Sequence, residues 1–358
     1  MRILHAINSL DLGGAEQVVK DLSAWQRGRG HEVRVVALQA ETGLSPGAPS
    51  PDSSAEGAHT QGPTSFLTAI PWLWRHRDSI LQADVVHSHL TFGALVGTAP
   101  EILRDSGGLR RPVVIESDHS AGMRIRHLQR TAYSVMRRRR RGIATVVAGT
   151  FSVPRTKRVM SWDIPNGIAP LPERESWSLG KVLALGSLGR LRADRRPDLY
   201  LDLLETTLSS RDARLVYGGD GPYREPLERE IRRRGLTEHV EFFGVVVDKM
   251  KFLKSIDVHV SLAIGNQVGL ASLESASSAT PSLAVQLQPE YWGLQDAIPS
   301  SPSVTELSDS IALLADSEEQ RRALGLTQAR YVREARSIDA MGPAYMAAYE
   351  AAMAEAAQ

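Results

Sequence analysis

The sequence predicts an α/β protein with two doubly wound, Rossmann-like domains, each built on a parallel sheet. Its 358 residues exceed what one hydrophobic core usually holds. Short apolar runs alternate with amphipathic helical segments along the chain, a pattern typical of βα repeats. A Pro-Asn-Gly turn at residues 165–167 interrupts this alternation, which then restarts. We therefore predict domains over residues 1–168 and 169–337, with a helix over 338–358 that joins the first domain.

The composition is that of an ordinary globular protein, with 42% hydrophobic and 23% charged residues. The absence of cysteine excludes disulfides, thiolate metal sites and a cysteine nucleophile. No apolar run approaches the roughly 18 residues of a membrane span, and the apolar start of the chain is too short for a signal peptide. We expect a cytoplasmic protein.

The net charge of +1 conceals an asymmetry between the two halves of the chain. Residues 1–168 hold 21 Lys and Arg against 14 Asp and Glu, a net charge of +7, whereas the remainder holds 21 against 27, a net charge of −6. A basic half indicates an anionic partner, which could be a membrane surface, a nucleic acid or a phosphorylated substrate.

The first predicted strand, Arg2–Ile7, leads to Gly13 and Gly14, and a helix with apolar residues at helical spacing follows. Glycines between a strand and a helix let the backbone approach a phosphate or sugar, although the dinucleotide pattern G-x-G-x-x-G is not present. The other elements predicted in this domain are a strand over Glu32–Leu38, a mobile loop over 41–65, a helix over Phe66–Leu81, a strand ending at His89, a helix over Thr91–Arg104, and strands over Pro112–Glu116 and Thr145–Ala148.

His119 follows the predicted strand Pro112–Glu116, and open α/β sheets bind ligands beyond the carboxyl ends of their strands. Its imidazole could donate a hydrogen bond to a sugar hydroxyl or a phosphate; the alternative is a structural loop histidine. His87 and His89 leave the same two possibilities open. A metal site formed by these three histidines would lack the spacing of the usual metal motifs.

A basic segment, Met123–Gly142, has an apolar helical stripe and ends in five consecutive arginines, Arg137, Arg138, Arg139, Arg140 and Arg141. Part of this charge suits the negative end of a helix dipole. The segment is either a solvated face or a surface that docks on anionic lipid headgroups. Nucleic acid is a third possibility, which we disfavour because no aromatic platform for bases accompanies the arginines.

In the second domain, a strand over Lys181–Leu185 precedes Arg190 and Arg195. Guanidinium groups between a strand and a helix suit a diphosphate, and a solvated basic loop is the alternative. The elements predicted next are a helix through Leu208, a strand over Leu215–Tyr217, a glycine turn over Gly218–Pro222, a helix to about Arg234, and a strand over Val240–Gly244.

The stretch that follows the alternating strand Asp257–Leu262 organises this domain. Gly269 and Leu270 open a small-residue helix that carries Glu274 about one turn in. Free N–H groups and the dipole at a helix N-terminus favour an anion. Glu274, an acceptor-only carboxylate, would suit a ribose diol near that anion. The alternative is an ordinary βα unit whose glutamate faces solvent.

In combination, these segments resemble the retaining glycosyltransferases of the GT-B fold, most closely glycosyltransferase family 4, over nearly the whole chain. The segments that carry the resemblance are Gly13–Glu16, Asp84–His89, His119, Pro165–Gly167, Gly189–Leu191 with Arg195, Gly218–Pro222, and Gly269–Glu274. The resemblance implies two facing domains with a deep cleft between them. It also implies a nucleoside-diphosphate sugar held mainly by the C-terminal domain and an acceptor held mainly by the N-terminal domain.

The resemblance gives the residues of the second domain their expected roles. Arg190 and Arg195 are implied to hold the diphosphate. Glu274 is implied to hold the ribose, at the helix that Gly269 and Leu270 begin. No metal or other cofactor is implied, because arginines and helix N-termini neutralise the leaving diphosphate. The family transfers its sugar with retention.

In the first domain, Gly13 and Gly14 match the loop that closes on the donor, and His119 matches the histidine near the transferred sugar. Asn266 departs from the family, which has a glutamate there; an amide keeps hydrogen-bonding capacity but lacks the charge that could stabilise an oxocarbenium-like state. Arg195 in place of a lysine is a milder departure. Residues 286–296 are hard to align with the family.

The sequence therefore predicts a retaining, metal-independent hexosyltransferase that moves a sugar from a UDP- or GDP-sugar to a glycan or lipid-linked acceptor. We expect a role in bacterial cell-surface glycan or glycolipid assembly, in the cytoplasm or peripherally at the inner face of the plasma membrane. Asn266 and His119 would face the transferred sugar. Two alternatives stay open: a non-catalytic protein that binds a nucleotide sugar or glycan, and a nucleotide-sugar epimerase.

Overall fold

The computed structural model describes residues 1–10, 13–37, 59–61, 66–102, 112–119, 141–146, 159–262, 268–285, 300–301 and 303–357. The chain divides into two compact units. Unit 1 comprises Met1–Gly167 together with Ile338–Gln358, and unit 2 comprises Ile168–Ser337.

Unit 1 is a parallel α/β unit. Its described elements, labelled in chain order, are β1 (Arg2–Ile7), α1 (Gly14–Gly28), β2 (Glu32–Ala37), β3 (His59–Gln61), α2 (Phe66–Arg75), α3 (Arg77–Leu81), β4 (Val85–His89), α4 (Leu90–Ile102), β5 (Val113–Asp118), β6 (Gly142–Thr145), β7 (Met160–Asp163) and α11 (Ile338–Ala356). In the described part of the unit, seven strands pair in the order β3-β2-β1-β4-β5-β6-β7. Since β2 lies on one side of β1 and β4 on the other, the direction of winding reverses between β1 and β4.

Alternation along β1 divides the interior of unit 1 between two faces of the sheet. Leu4 and Ala6 belong to the apolar cluster formed with α2, α3 and α4. Ile7 packs with Val19 of α1 on the opposite face. His5 lies on this second face as well, where α11 packs against α1 and β5. A polar side chain therefore enters the interior at the centre of the sheet.

The structure corrects several predicted boundaries in unit 1. Strand β3 lies inside the predicted loop 41–65, where it pairs with β2. The helix predicted over 66–81 is two helices, because His76 leaves the helical conformation with φ −102° and ψ 12°. The sheet also contains β7, which the sequence did not predict. Strand β6 begins at Gly142 instead of Thr145, because its parallel register with β5 pairs Gly142 with Ile115.

Unit 2 is also parallel. Its described elements are β8 (Leu183–Leu188), α5 (Leu199–Leu208), β9 (Ala213–Gly218), α6 (Arg224–Arg234), β10 (Val240–Gly244), α7 (Lys249–Lys254), β11 (Val258–Ser261), α8 (Leu270–Ser277), β12 (Ser282–Val285), β13 (Ser300–Ser301), α9 (Val304–Asp316) and α10 (Glu318–Ala335). The described strands pair in the order β10-β9-β8-β11-β12-β13, so the winding reverses between β8 and β11. Leucine and valine side chains of β8, β9, β11 and β12 form its main core with α5, α6 and α9. Among the described helices of both units, none is both long enough and apolar enough to cross a bilayer.

Candidate active site

The residues predicted to hold the donor follow two adjacent strands of unit 2. Arg190 and Arg195 come after β8, and Gly269, Leu270 and Glu274 come after β11. The two strands pair directly and in parallel, so their carboxyl ends lie at one edge of the sheet. The strand order reverses between them, and open α/β sheets bind ligands at such a switch point. The topology therefore brings both groups of residues to the expected binding edge.

Two glycine-rich turns interlock at this edge. The backbone N–H of Gly189 donates to the carbonyl of Gly218 over 2.8 Å. Gly219 has φ +137°, and a Cβ there would overlap the carbonyl oxygen of Gly189. A Cβ at Gly221 would overlap the carbonyl oxygen of Leu191 in the same way. Only glycine lets the turns after β8 and β9 pack this closely, and the packing fixes the loop that carries Arg190.

The two arginines of this loop are exposed to solvent. Within the described part of the chain, neither Arg190 nor Arg195 pairs with a carboxylate. Tyr217 of β9 donates its hydroxyl to the carbonyl oxygen of Pro197 over 2.6 Å and so anchors the chain just beyond Arg195. Two solvent-exposed cations on an anchored loop can pair with the oxygens of an incoming phosphate.

Helix α8 follows β11, the strand that pairs with β8, and the loop after β8 carries these two cations. Its N-cap residue, Gly269, is exposed and supplies no side-chain hydrogen bond to the first turn. Leu270, the first helical residue, is half-buried. A helix start without a side-chain cap leaves N–H groups for water or a ligand, with the positive end of the dipole behind them. This geometry suits an anion.

Glu274 does not face solvent, so the solvent-facing alternative is wrong. The residue is 8% exposed. Its Oε1 lies 2.5 Å from Nζ of Lys249, the first residue of α7. Sequence reasoning missed Lys249, although a cation in the first turn of a helix opposes the dipole and is a signal that it serves another group.

In unit 1, the predicted residues again lie around the point where the winding reverses. Gly13 and Gly14 follow β1, and both are exposed. Gly13 is the N-cap of α1 and supplies no side-chain hydrogen bond to it. His119 follows β5, which pairs with β4. Asn8 fixes this edge, because its Oδ1 accepts a hydrogen bond of 2.7 Å from the backbone N–H of Phe92 in α4.

His119 is half-buried and joined to the interior of unit 1. Its Nε2 lies 3.0 Å from Nδ1 of His89, and Nε2 of His89 lies 3.1 Å from Nδ1 of His5. Burial lowers the pKa of His119 to about 4, so its imidazole is neutral at neutral pH. His87 takes a separate path, with Ser117 Oγ 2.7 Å from Nε2 and Tyr349 Oη 2.6 Å from Nδ1.

The structure also redefines the histidine group that could hold a metal. Among the described residues, the group with mutually close ligand nitrogens, all within 4.8 Å of one another, is His5, His87 and His89, and not the set with His119 that the sequence analysis considered. Every ring nitrogen of these three already has a hydrogen-bond partner; for His5 the second is Gln26 Oε1, 2.8 Å from Nε2. A metal ion would have to replace several of these bonds, so the arrangement is that of a hydrogen-bond network.

Several parts of this network escaped sequence reasoning. His5 had a signal, since it is the polar residue within the apolar strand Arg2–Ile7. For Tyr345 and Tyr349 the sequence held a weaker signal, which is their i, i+4 spacing on the helix after residue 337. Gln26 had none, because it occupies an ordinary position on an amphipathic helix.

Two other parts of the predicted site lie outside the described residues. One is Asn266. The other consists of Arg137, Arg138, Arg139 and Arg140. Arg141 is described: it is exposed, and its backbone N–H donates to the carbonyl of Val114 over 2.9 Å, next to the start of β6.

Comparison with known proteins identifies the family. The model of Glycosyltransferase Family 4 matches residues 12–159, and that of Glycosyl transferases group 1 matches residues 173–329. The chain belongs to the family 4 type of GT-B glycosyltransferases. The fold is shared with Anabaena HepE, solved with UDP and glucose, at a TM-score of 0.78 and 13% identity over 98% of this chain and 99% of HepE. Sucrose-phosphate synthase of Thermosynechococcus elongatus gives a TM-score of 0.73 at 15% identity over 99% and 100% of the two chains.

Curated relatives of this family 4 member match over shorter stretches. A GDP-mannose-dependent α-(1-6)-phosphatidylinositol dimannoside mannosyltransferase of Mycobacterium tuberculosis is 33% identical over 114 residues, 31% of this chain and 29% of the relative. The α-D-kanosaminyltransferase of Streptomyces kanamyceticus is 26% identical over 178 residues, 47% of this chain and 46% of the relative. The chain thus matches less than half the length of either relative.

Proposed function

We propose that this GT-B protein transfers a hexose or similar sugar, with retention and without a metal or other cofactor, from a nucleoside-diphosphate sugar to an acceptor hydroxyl. Unit 2 binds the nucleoside diphosphate: Arg190 and Arg195 pair with its phosphates, the start of α8 donates to them, and Glu274 holds the ribose. His119 contacts the transferred sugar.

One observation carries this proposal. The exposed guanidinium groups of Arg190 and Arg195 follow one of the two strands that flank the switch point of unit 2, and helix α8, whose N-cap residue supplies no side-chain hydrogen bond, follows the other. Positive charge and free N–H groups from adjacent strands suit the two phosphates of a leaving nucleotide. Such groups can also stabilise the charge that develops when the glycosidic bond breaks, which is the task otherwise given to a metal ion.

The relatives support two classes of donor. HepE has been solved with UDP and glucose, and the mycobacterial mannosyltransferase is named for GDP-mannose. We therefore propose a UDP- or GDP-sugar as the donor of this chain.

A donor screen in the presence of EDTA tests the proposal. We expect one UDP- or GDP-sugar to raise the melting temperature and to be hydrolysed slowly, while dTDP- and ADP-sugars do neither. Arg190→Ala should weaken that donor's binding about tenfold or more, since a charge-assisted hydrogen bond contributes about 1.5–3 kcal/mol. The matched control is Arg229→Ala, which removes an exposed arginine from α6 and should leave affinity unchanged. Absence of binding by every nucleotide sugar would overturn the donor-site assignment, and the anomeric configuration of the product would test retention.

We further propose that the acceptor is lipid-linked or phosphorylated and that the protein works at the inner face of the plasma membrane in bacterial cell-surface glycan assembly. The basic charge of residues 1–168 supports this, as does α2, where Ile70 is 61% and Trp74 50% exposed. An exposed tryptophan beside basic residues suits a lipid interface. Co-sedimentation with neutral and anionic vesicles tests this location, and equal binding to both would contradict it.

Asn266 supports a second candidate function, in which the protein binds a nucleotide sugar without turnover. An amide in place of the family's glutamate lacks its negative charge. In an adapted transferase, Asn266→Glu should lower the transfer rate. A large gain in transfer would instead indicate that the natural protein is chiefly a binding protein.

A further inference from the structure

A chain of hydrogen bonds crosses the interior of unit 1 from α1 to the end of β5. Gln26 Oε1 lies 2.8 Å from His5 Nε2, His5 Nδ1 lies 3.1 Å from His89 Nε2, and His89 Nδ1 lies 3.0 Å from His119 Nε2. Gln26, His5 and His89 are fully buried, whereas His119 is half-buried at the sheet edge. These hydrogen bonds thus connect the buried amide of Gln26 to His119, the histidine proposed to contact the sugar.

All three imidazoles are neutral at neutral pH. Burial lowers the pKa of His5 and of His119 to about 4. The pKa of His89 is also far below 6.5, first because of burial and then because of the neighbouring His87 and His119. A neutral imidazole carries one proton, so one of its nitrogens donates and the other accepts.

The amide of Gln26 sets the donor-to-acceptor direction of these hydrogen bonds. A carbonyl oxygen such as Gln26 Oε1 only accepts, so the proton of His5 lies on Nε2 and its Nδ1 accepts from His89. The proton of His89 is therefore on Nε2, and its Nδ1 accepts from His119. The proton of His119 is on Nε2 as well and points inward. Its Nδ1 keeps a lone pair, and among the described residues no hydrogen bond engages that nitrogen.

The contacts of Gln26 Nε2 fix which way the Gln26 amide is turned. Gln26 Nε2 lies 3.4 Å from the hydroxyl oxygen of Tyr349 and 3.9 Å from Sδ of Met346. An N–H group can donate to both, whereas a carbonyl oxygen would be repelled by the thioether. The hydroxyl of Tyr349 can then donate to Nδ1 of His87, 2.6 Å away. If the amide turned over, every bond of the chain would reverse and His119 would present an N–H group instead.

We propose that Gln26 is a positioning residue which, through His5 and His89, holds the proton of His119 on Nε2, so that Nδ1 accepts a hydrogen bond from a sugar hydroxyl. This replaces the sequence-based expectation that His119 donates to a hydroxyl or a phosphate. A lone pair attracts a hydroxyl and repels a phosphate oxygen, so His119 selects the sugar end of the donor. The identity of the ligand rests on the proposed function, but the tautomer does not.

Long-range ¹⁵N–¹H correlation NMR on the full chain labelled with ¹⁵N-histidine tests the proposal at neutral pH without any ligand. We expect His119 to show a protonated Nε2 and an unprotonated Nδ1, with its signals identified by their loss in His119→Gln. A protonated Nδ1 on His119 in the natural protein would overturn the proposal. Because no donor is needed, this result is independent of whether a sugar is transferred, and donor binding can in turn fail without affecting it.

Gln26→Met tests whether the amide sets the tautomer. Methionine keeps the length of the side chain but removes the acceptor, so the signals of His119 should become an average of two tautomers. The matched control is Gln328→Met, which removes another fully buried amide, in unit 2, and should leave His119 unchanged. His259, also in unit 2, serves as an internal reference in every spectrum.

An unchanged His119 in a folded Gln26→Met variant would overturn the role of Gln26. If that variant does not fold, the spectrum of the natural protein still decides the tautomer.

Discussion

Lys249 Nζ lies 2.5 Å from Glu274 Oε1 and thereby joins the start of α7 to α8. The glutamate side chain is 10% exposed and the lysine side chain 32%. The ammonium group therefore compensates a carboxylate that folding has largely removed from water. A ligand hydroxyl that reaches Glu274 would meet a carboxylate that is already held in place.

Lys249→Met should lower the free energy of unfolding by about 1–3 kcal/mol, because it leaves the carboxylate of Glu274 without its cation. Urea unfolding measures this change. Lys254→Met, at an exposed position on the same helix, should change stability by less than about 0.5 kcal/mol. Equal effects of the two substitutions would show that the ion pair contributes nothing.

Glu274→Gln should reduce discrimination between ribose and deoxyribose. If the carboxylate accepts from the ribose diol, the natural protein should bind UDP or GDP about tenfold more tightly than the matching 2′-deoxynucleotide. The amide variant should narrow that ratio, since its acceptor is uncharged. Titration calorimetry with both nucleotides gives the ratio, and a natural protein that does not distinguish them would refute the ribose contact.

The stability of the protein should fall as the pH is lowered from about 6.5 toward 4. Burial lowers the pKa of His5, His119 and His259 to about 4, whereas the unfolded chain protonates its histidines near 6.5. In that window the unfolded state binds more protons, so stability increases with pH. Each such histidine contributes up to about 1.4 kcal/mol per pH unit. Urea unfolding at several pH values measures the slope, which His259→Asn should reduce, and a flat profile would contradict the prediction.

Gly219→Ala should destabilise unit 2 and weaken nucleotide binding together. Its φ of +137° is unfavourable for alanine, and the added Cβ would overlap the carbonyl oxygen of Gly189. We expect a loss of about 2 kcal/mol or more. Gly180→Ala is the matched control, since nothing lies within 4 Å of a Cβ there. Thermal unfolding with and without nucleotide compares the variants, and a fully stable Gly219→Ala protein would mean that the two turns can separate.

Much of the fold could be predicted because local patterns specify it. The predicted strands Arg2–Ile7 and Val240–Gly244 coincide with β1 and β10. The short strands β3 and β7 were missed, since three or four residues are too few to establish a period and their pairing comes from neighbours in space. The β6 boundary was misplaced for a related reason, because register with β5 and not the local apolar run decides where it starts.

The candidate site could be proposed from sequence only where a residue closely follows a strand. Arg190, Arg195 and His119 were proposed because the carboxyl end of a parallel strand is a known place for ligands. Lys249 could not be paired with Glu274 from sequence, since that contact depends on how α7 packs beside α8. The link from Gln26 to His119 depends on the register of three strands, β1, β4 and β5, and on the packing of α1 against β1, and no local pattern contains it.

The division of unit 1 into two segments has a consequence for how the protein is made. Residues 168–337 form a contiguous unit, whereas unit 1 needs residues from both sides of it. While a ribosome is still synthesising unit 2, the segment that supplies Tyr345 and Tyr349 does not yet exist, and Ser117 and His87 lack those hydroxyl partners. The interior of unit 1 therefore becomes complete only after α11 has emerged, which follows the emergence of the whole of unit 2.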